Sequence, residues 1–153
     1  MPESKYAIRP PREGAPLVKI ALVVSDFNFD VTSLMAERAR RHAEFLGAES
    51  VRIVHIPGVY DMPLAAKRLL KRKDVDGVVL IGAVIKGDTN HDELIASATA
   101  SAATSLSLEF DKPVGLGVTG PGMDHMQALD RIDNAKNAVE SVIRMLRILK
   151  ELE

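Results

Sequence analysis

Residues 77–85 read GVVLIGAVI, nine in a row without a polar side chain. A strand with one wet face alternates apolar and polar residues, whereas a strand covered on both faces does not. The run is too short to cross a bilayer as a helix. Its Val and Ile content suits a strand inside a parallel sheet. Residues 17–25 (LVKIALVVS) have the same character, and two shorter runs, 51–56 (VRIVHI) and 113–118 (PVGLGV), complete a set of four.

Helical patterns fill the gaps. Asp30 is an expected N-cap, followed by Val31, Leu34, Met35, Ala39, Phe45 and Leu46 at helical spacing up to Gly47. Pro63 suits the first turn of a second helix, with Ala66, Leu69 and Leu70 inward. A third helix is expected over residues 90–110. Asp124 and Gln127 are spaced as a capping box. A final amphipathic stripe runs through Ile132, Ala135, Val139, Val142, Ile143, Leu146 and Leu149. Strands alternating with helices predict an α/β domain with a four-stranded parallel sheet and right-handed crossovers. Residues 94–108, LIASATASAATSLSL, are dominated by small side chains. They let this helix pack closely either on its own sheet or on copies of itself.

A length of 153 residues suits one domain, here 17–153, preceded by an arm, 1–16. The net charge of −1 gives no reason to expect nucleic acid or an anionic membrane as a partner. Without cysteine there is no disulfide, no thiol nucleophile and no thiolate zinc site. The opening MPESKYAIRPPREGAP mixes both charges with prolines, unlike a signal peptide or membrane span. A cytoplasmic protein is the expectation.

In such sheets ligands sit beyond the carboxyl ends of the strands. Four segments fall there: SDFNFD, PGVYDMP, KGDTNHDE and TGPGMDH. Gly115, Gly117 and Gly120 spell G-x-G-x-x-G, but the first two lie inside a strand and Pro121 follows the third, which excludes the dinucleotide reading. Of the four histidines, His42 follows Arg40 and Arg41 and reads as a solvated helix residue. His55 sits within a strand and reads as structural, and His125 lies in a helix's first turn. His91 stands in a strand-end loop beside Asp92 and Glu93. It is either a plain helix N-terminal residue or a proton-transfer group. Three consecutive side chains diverge on a helix, so no metal site is expected from them. Phe27 is a candidate to stack on a planar heterocycle, with Phe29 the alternative for the core. Arg131 is either half of a surface pair with Asp130 or Asp133 or a phosphate-gripping fork.

Three segments in order resemble the 6,7-dimethyl-8-ribityllumazine synthase family: Phe27-Asn28, the run from Pro57 through Tyr60 and Asp61 to Pro63, and the run from Gly82 to His91. The likeness spans residues 17–150, and GPGM…QA…RID looks most like archaeal members. It implies a flavodoxin-like three-layer α/β/α fold whose N-terminal arm adds a strand to a neighbouring subunit. It also implies condensation of 5-amino-6-(D-ribitylamino)uracil with 3,4-dihydroxy-2-butanone 4-phosphate, with no metal or organic cofactor. The substrates are small molecules, and the partners are copies of the chain in pentamers or icosahedral assemblies of pentamers. By the same resemblance Phe27, beside Asn28, stacks on the pyrimidine. Val59, Tyr60 and Asp61 line the ribityl pocket, and Ala83, Val84 and Ile85 offer backbone to the uracil edge. Gly87, Asp88 and Thr89 lie by the phosphate, which Arg131 of a neighbouring chain grips. His91 shuttles protons. Leu116 stands where the family often has Phe, and Lys136 corresponds to the family lysine beyond Arg131. The segment after Arg131 is shorter than in many bacterial members. The alternatives are an archaeal-type riboflavin synthase, expected to lack the T-x-H loop, and a non-catalytic flavin- or lumazine-binding module.

Overall fold

The computed structural model describes residues 17–87 and 91–153; the arm, Asp88, Thr89 and Asn90 lie outside them. Four strands, β1 (Lys19–Ser25), β2 (Ser50–Ile56), β3 (Gly77–Ile85) and β4 (Val114–Met123), form one parallel sheet in the order β2-β1-β3-β4. Five helices accompany them: α1 (Phe29–Phe45), α2 (Met62–Leu70), α3 (His91–Phe110), α4 (His125–Leu129) and α5 (Asp133–Glu151). A single 3₁₀ turn, Val59–Asp61, precedes α2. This is the flavodoxin-like order, with its reversal between β1 and β3.

Why β1 and β3 lack polar alternation is visible in the two cores. Ile20, Leu22 and Val24 of β1 and Val79 and Ile81 of β3 pack with Met35 of α1 and Val139, Val142 and Ile143 of α5. Their neighbours Ala21, Val23, Val78 and Leu80 pack on the other face with α2 and with Ala103 and Leu106 of α3. Successive strand residues point to opposite faces, so a strand covered twice needs apolar residues throughout. β2 and β4 are the edges, and Ile53 and Leu116 stay exposed there.

The glycines of the rejected motif have a packing role. A Cβ at Gly115 would come within 2.7 Å of Val142 Cγ2 and 3.0 Å of the Ala138 carbonyl oxygen. At Gly117 it would approach the Leu80 carbonyl at 3.0 Å and Ala135 Cα at 3.2 Å. Backbone and helix are in direct contact, which only glycine on the strand permits. On the opposite face Lys112, just before β4, donates from Nζ to the carbonyls of Leu70 (2.8 Å), Arg72 (3.0 Å) and Val75 (2.8 Å). An ammonium has three donors, and here all three serve the carbonyl end of α2 and the loop after it.

Three expectations are corrected. The N-cap of α1 is Asn28, in the left-handed conformation (φ 62°, ψ 43°), not Asp30. The Asn28 carbonyl accepts from Val31 and Thr32, so the helix starts two residues earlier, and Asp30 in its first turn turns to His125 at 2.7 Å. His42 is buried, not solvated. It faces Glu140 across the α1–α5 seam at 3.9 Å and stacks on Phe45, whose ring takes the exposed position instead. Burial, and then the charge of Lys136, holds the His42 imidazole below its ordinary pKa. Finally, TGPGM is not a loop. It continues β4 to Met123, through a cis Gly120–Pro121 bond and a register shift against Ala83 and Ile85. Among the described residues no helix is long and apolar enough to cross a membrane.

Candidate functional site

The loop between β1 and α1 is held from two sides. Asp26 donates its N–H to Ile56 O (2.8 Å) and Phe27 to Pro57 O (3.0 Å), tying it to the end of β2. Asn28 Nδ2 donates to Ala83 O (2.9 Å), tying it to the end of β3. Buried Thr32 donates to Ser25 O (2.7 Å), and Ser25 Oγ to Phe27 O (3.3 Å). With its backbone so fixed, Phe27 leaves its ring 72% exposed above the sheet end. An aromatic face held in water by its own backbone is open to stacking and is not a core residue. Phe29 is also exposed, so neither ring of this loop serves the core.

The segment after β2 joins it. Val59 is buried and closes over Gly82, where a Cβ would lie 2.7 Å from Val59 Cγ2 and 2.9 Å from Met62 Cε. Tyr60 and Asp61 face outward. Asp61 Oδ2 accepts from the Gly58 N–H at 3.0 Å, which orients the carboxylate while leaving it acceptor capacity for a hydroxyl.

Ala83, Val84 and Ile85 end β3. The Ala83 carbonyl is already engaged by Asn28, and the β-bulge or irregularity between Ala83 and Ile85 leaves Val84 outside the regular register. Bulges near sheet ends re-aim backbone groups in this way. Gly87 is exposed with nothing within 4 Å of where its Cβ would be. Asp88 and Thr89 lie outside the described residues. His91 opens α3 and is exposed, while its neighbour Asp92 is buried, so the two side chains leave the helix in different directions.

Phe27, Asn28, Val59, Tyr60, Asp61, the end of β3, Gly87 and His91 therefore gather at one end of the sheet. Arg131, Leu116 and Lys136 do not join them. Arg131 is exposed in the α4–α5 connection. Its carbonyl accepts from Thr119 Oγ1 (3.5 Å), to which Asn134 donates (3.2 Å). Asp133 pairs with Arg38 at 3.0 Å, and among the described residues Arg131 has no ion-pair partner. Leu116 sits mid-strand, level with Leu80, and is 45% exposed. Lys136 lies along the flank of α1, near His42. On either side of Arg131 in sequence, His125 meets Asp30 and Asp133 meets Arg38, so the α4–α5 connection lies against α1.

Sequence reasoning missed Asp92, whose Oδ2 accepts from the Gly122 N–H at 2.9 Å. Its only signal was a carboxylate directly after His91. It also missed two histidine–aspartate contacts that flank the Phe27 loop, His55 Nδ1 to Asp26 Oδ1 at 3.3 Å and His125 Nε2 to Asp30 Oδ2 at 2.7 Å.

The site thus combines an aromatic platform, oriented acceptors and a solvent-accessible imidazole. Comparison with known proteins shows the family. The family model for 6,7-dimethyl-8-ribityllumazine synthase matches residues 17–150. A protein of that name from Picrophilus torridus is 53% identical over 134 residues, covering 88% of this chain and 98% of the relative. One from Methanococcus aeolicus is 52% identical, covering 89% of this chain and 100% of the relative. One from Staphylothermus marinus is 52% identical, with 90% and 92% covered. Every strand, and every described loop that builds the site, falls inside the matched span, and the chain belongs to the 6,7-dimethyl-8-ribityllumazine synthase family.

Proposed function

We propose that the chain condenses 5-amino-6-(D-ribitylamino)uracil with 3,4-dihydroxy-2-butanone 4-phosphate, giving 6,7-dimethyl-8-ribityllumazine, phosphate and water, as a transferase of riboflavin biosynthesis in the cytoplasm. The observation that carries this reading is the gathering of Phe27, Asp61 and His91 at one sheet end of a chain about half identical to proteins of that name. Phe27 stacks on the pyrimidine beside Asn28. Val59, Tyr60 and Asp61 take the ribityl chain, and the backbone from Ala83 to Ile85 reads the uracil edge. Gly87, Asp88 and Thr89 lie by the phosphate. The 5-amine attacks the ketone carbonyl and a first water leaves as the imine forms; phosphate is then eliminated, and the ribityl-bearing amine closes the ring on the remaining carbonyl with loss of a second water. Each step moves protons, and His91 moves them. None of these steps changes oxidation state through an external acceptor, so no cofactor is required. Incubation with both substrates is expected to produce lumazine absorbance and fluorescence; a folded protein that produces neither would sink the reading.

His91→Ala is expected to slow turnover without abolishing it. Amines and ketones condense unaided, and holding the two substrates together supplies much of the rate. The loss should be at or below about 100-fold, the low end of acid–base contributions. Single-turnover kinetics checks this, and complete inactivity of a folded variant contradicts it.

The site is completed by a neighbour. Residues 17–153 form the body, and the arm, 1–16, adds a strand to the next subunit's sheet. Arg131 grips the adjoining chain's substrate phosphate, Lys136 follows it as the family lysine, and Leu116 shapes the substrate site. The small-residue face of α3 meets its symmetry mates about a five-fold axis, and pentamers close into an icosahedral shell. The exposed Leu94, Leu108 and Leu116 support this, being apolar surface that a free monomer would leave in water. Light scattering and electron microscopy are expected to show a particle on the order of a megadalton. Pentamers alone, at every pH and phosphate concentration, would refute the shell, and a fully active monomer would refute the shared site.

A further inference from the structure

Asp92 is a carboxylate buried to 7% exposure, and neither side of the sheet supplies it a cation among the described residues. Taking a carboxylate out of water is costly without compensating partners. Here the first turn of α3 offers its favourable dipole end, and Gly122 offers a backbone N–H at 2.9 Å. Gly122 can do so because β4 does not end as a plain strand. Gly120 (φ 108°) and Gly122 (φ 79°) both occupy the positive-φ region that favours glycine, and the path they set brings the Gly122 N–H to α3. The next residue, Met123, accepts at its carbonyl from the Lys86 N–H at 2.8 Å. Two adjacent residues of β4 therefore hold both ends of the connection that carries His91: Lys86, where the chain leaves β3, and Asp92, where α3 begins.

We propose that Asp92 is a positioning residue for the reaction: through its bond to Gly122 it fixes the start of α3 and so the place of the neighbouring His91. This rests on the proton-transfer role of His91 proposed above. A displacement of about 1 Å at a reacting group can cost up to about 100-fold in rate. Without the carboxylate, the Gly122 N–H loses its acceptor and the first turn of α3 loses its hydrogen bond to the end of β4, while Ala103 and Leu106 still pack with Val114 and Val118 further along. The pyrimidine platform at Phe27 is tied instead to β2 and β3, so binding of that substrate is left untouched.

Steady-state kinetics of the intact assembled protein tests this with a double-mutant cycle. Asp92→Ala is expected to lower kcat by about tenfold, with KM for the pyrimidine within about twofold. Asp92→Asn, whose amide oxygen can still accept from Gly122, is expected to keep kcat within about threefold of the parent. In a His91→Ala background Asp92→Ala is expected to cause no further fall, because two residues acting as a unit are not additive. Should Asp92→Ala fail to fold, Asp92→Leu, with the same branched shape and no acceptor, takes its place in the cycle. The same loss in both backgrounds, or an unchanged kcat in the wild-type background, overturns the proposal. An Asn variant as slow as the Ala variant overturns it as well. His91→Ala alone separates the two levels. If it leaves kcat unchanged, the role of His91 fails and Asp92's with it. If it slows kcat while Asp92→Ala does not, only the role of Asp92 fails.

Discussion

Arg131→Ala is expected to raise KM for the butanone phosphate and lower the corresponding kcat/KM by roughly 30- to 1,000-fold, leaving KM for the pyrimidine nearly unchanged. The loss of a charge-assisted, two-pronged contact to phosphate is worth roughly 2–4 kcal/mol. Within its own chain Arg131 has no ion-pair partner among the described residues, and Asp133 is taken by Arg38. Removing it therefore breaks no described internal pair, and its cost should fall on the ligand. Phe27→Ala should show the opposite preference, because its ring is proposed to serve the pyrimidine and is 72% exposed. Equal weakening of both substrates by Arg131→Ala, in steady-state kinetics, would contradict the assignment.

Gly120→Ala is expected to be the most damaging single substitution for stability. Gly120 has φ 108°, and a Cβ there would run into the Val84 carbonyl oxygen, with Val84 Cβ at 3.3 Å as well. The obstacle is backbone, so no side chain can swing away. Relief requires β4 to move off β3 where the two carry the site. A loss of roughly 3 kcal/mol or more is expected from a shift in the denaturation midpoint, with activity falling alongside. A loss under about 1 kcal/mol would show that the strand tail yields easily and is not held as described.

The central strands were legible because burial on both faces leaves a plain signature, an unbroken apolar run. Pro63 and the Asp124–Gln127 box were legible because each acts within one turn of chain. Other features depend on partners distant in sequence. His42 was read from its arginine neighbours, yet it continues the inward stripe of Val31, Met35 and Ala39, and only the arrival of α5 decides that it is buried. The start of α1 was misread because Asn28 caps it through a left-handed backbone and spends its side chain on Ala83, where a side-chain cap was the usual signal. TGPG has the composition of a turn. It is a strand because β3 continues beside it, with Lys86 bonding to Met123. The candidate site residues could be proposed because most stand in short ordered motifs. That Arg131 has no ion-pair partner among the described residues, Asp133 being taken by Arg38, depends on how α5 packs on α1, which no local pattern encodes.

On the proposed shared site, responsibility is divided between copies. A chain damaged at Phe27 would harm its own pocket, while a chain damaged at Arg131 would harm the pocket next door. Two kinds of defective chain, each inactive in a pure ring, would then repair one another when mixed, at every junction where an intact Phe27 meets an intact Arg131. Heredity would see the same effect: two faulty alleles in one cell could yield working enzyme, and fitness would attach to the seam between copies more than to any single copy.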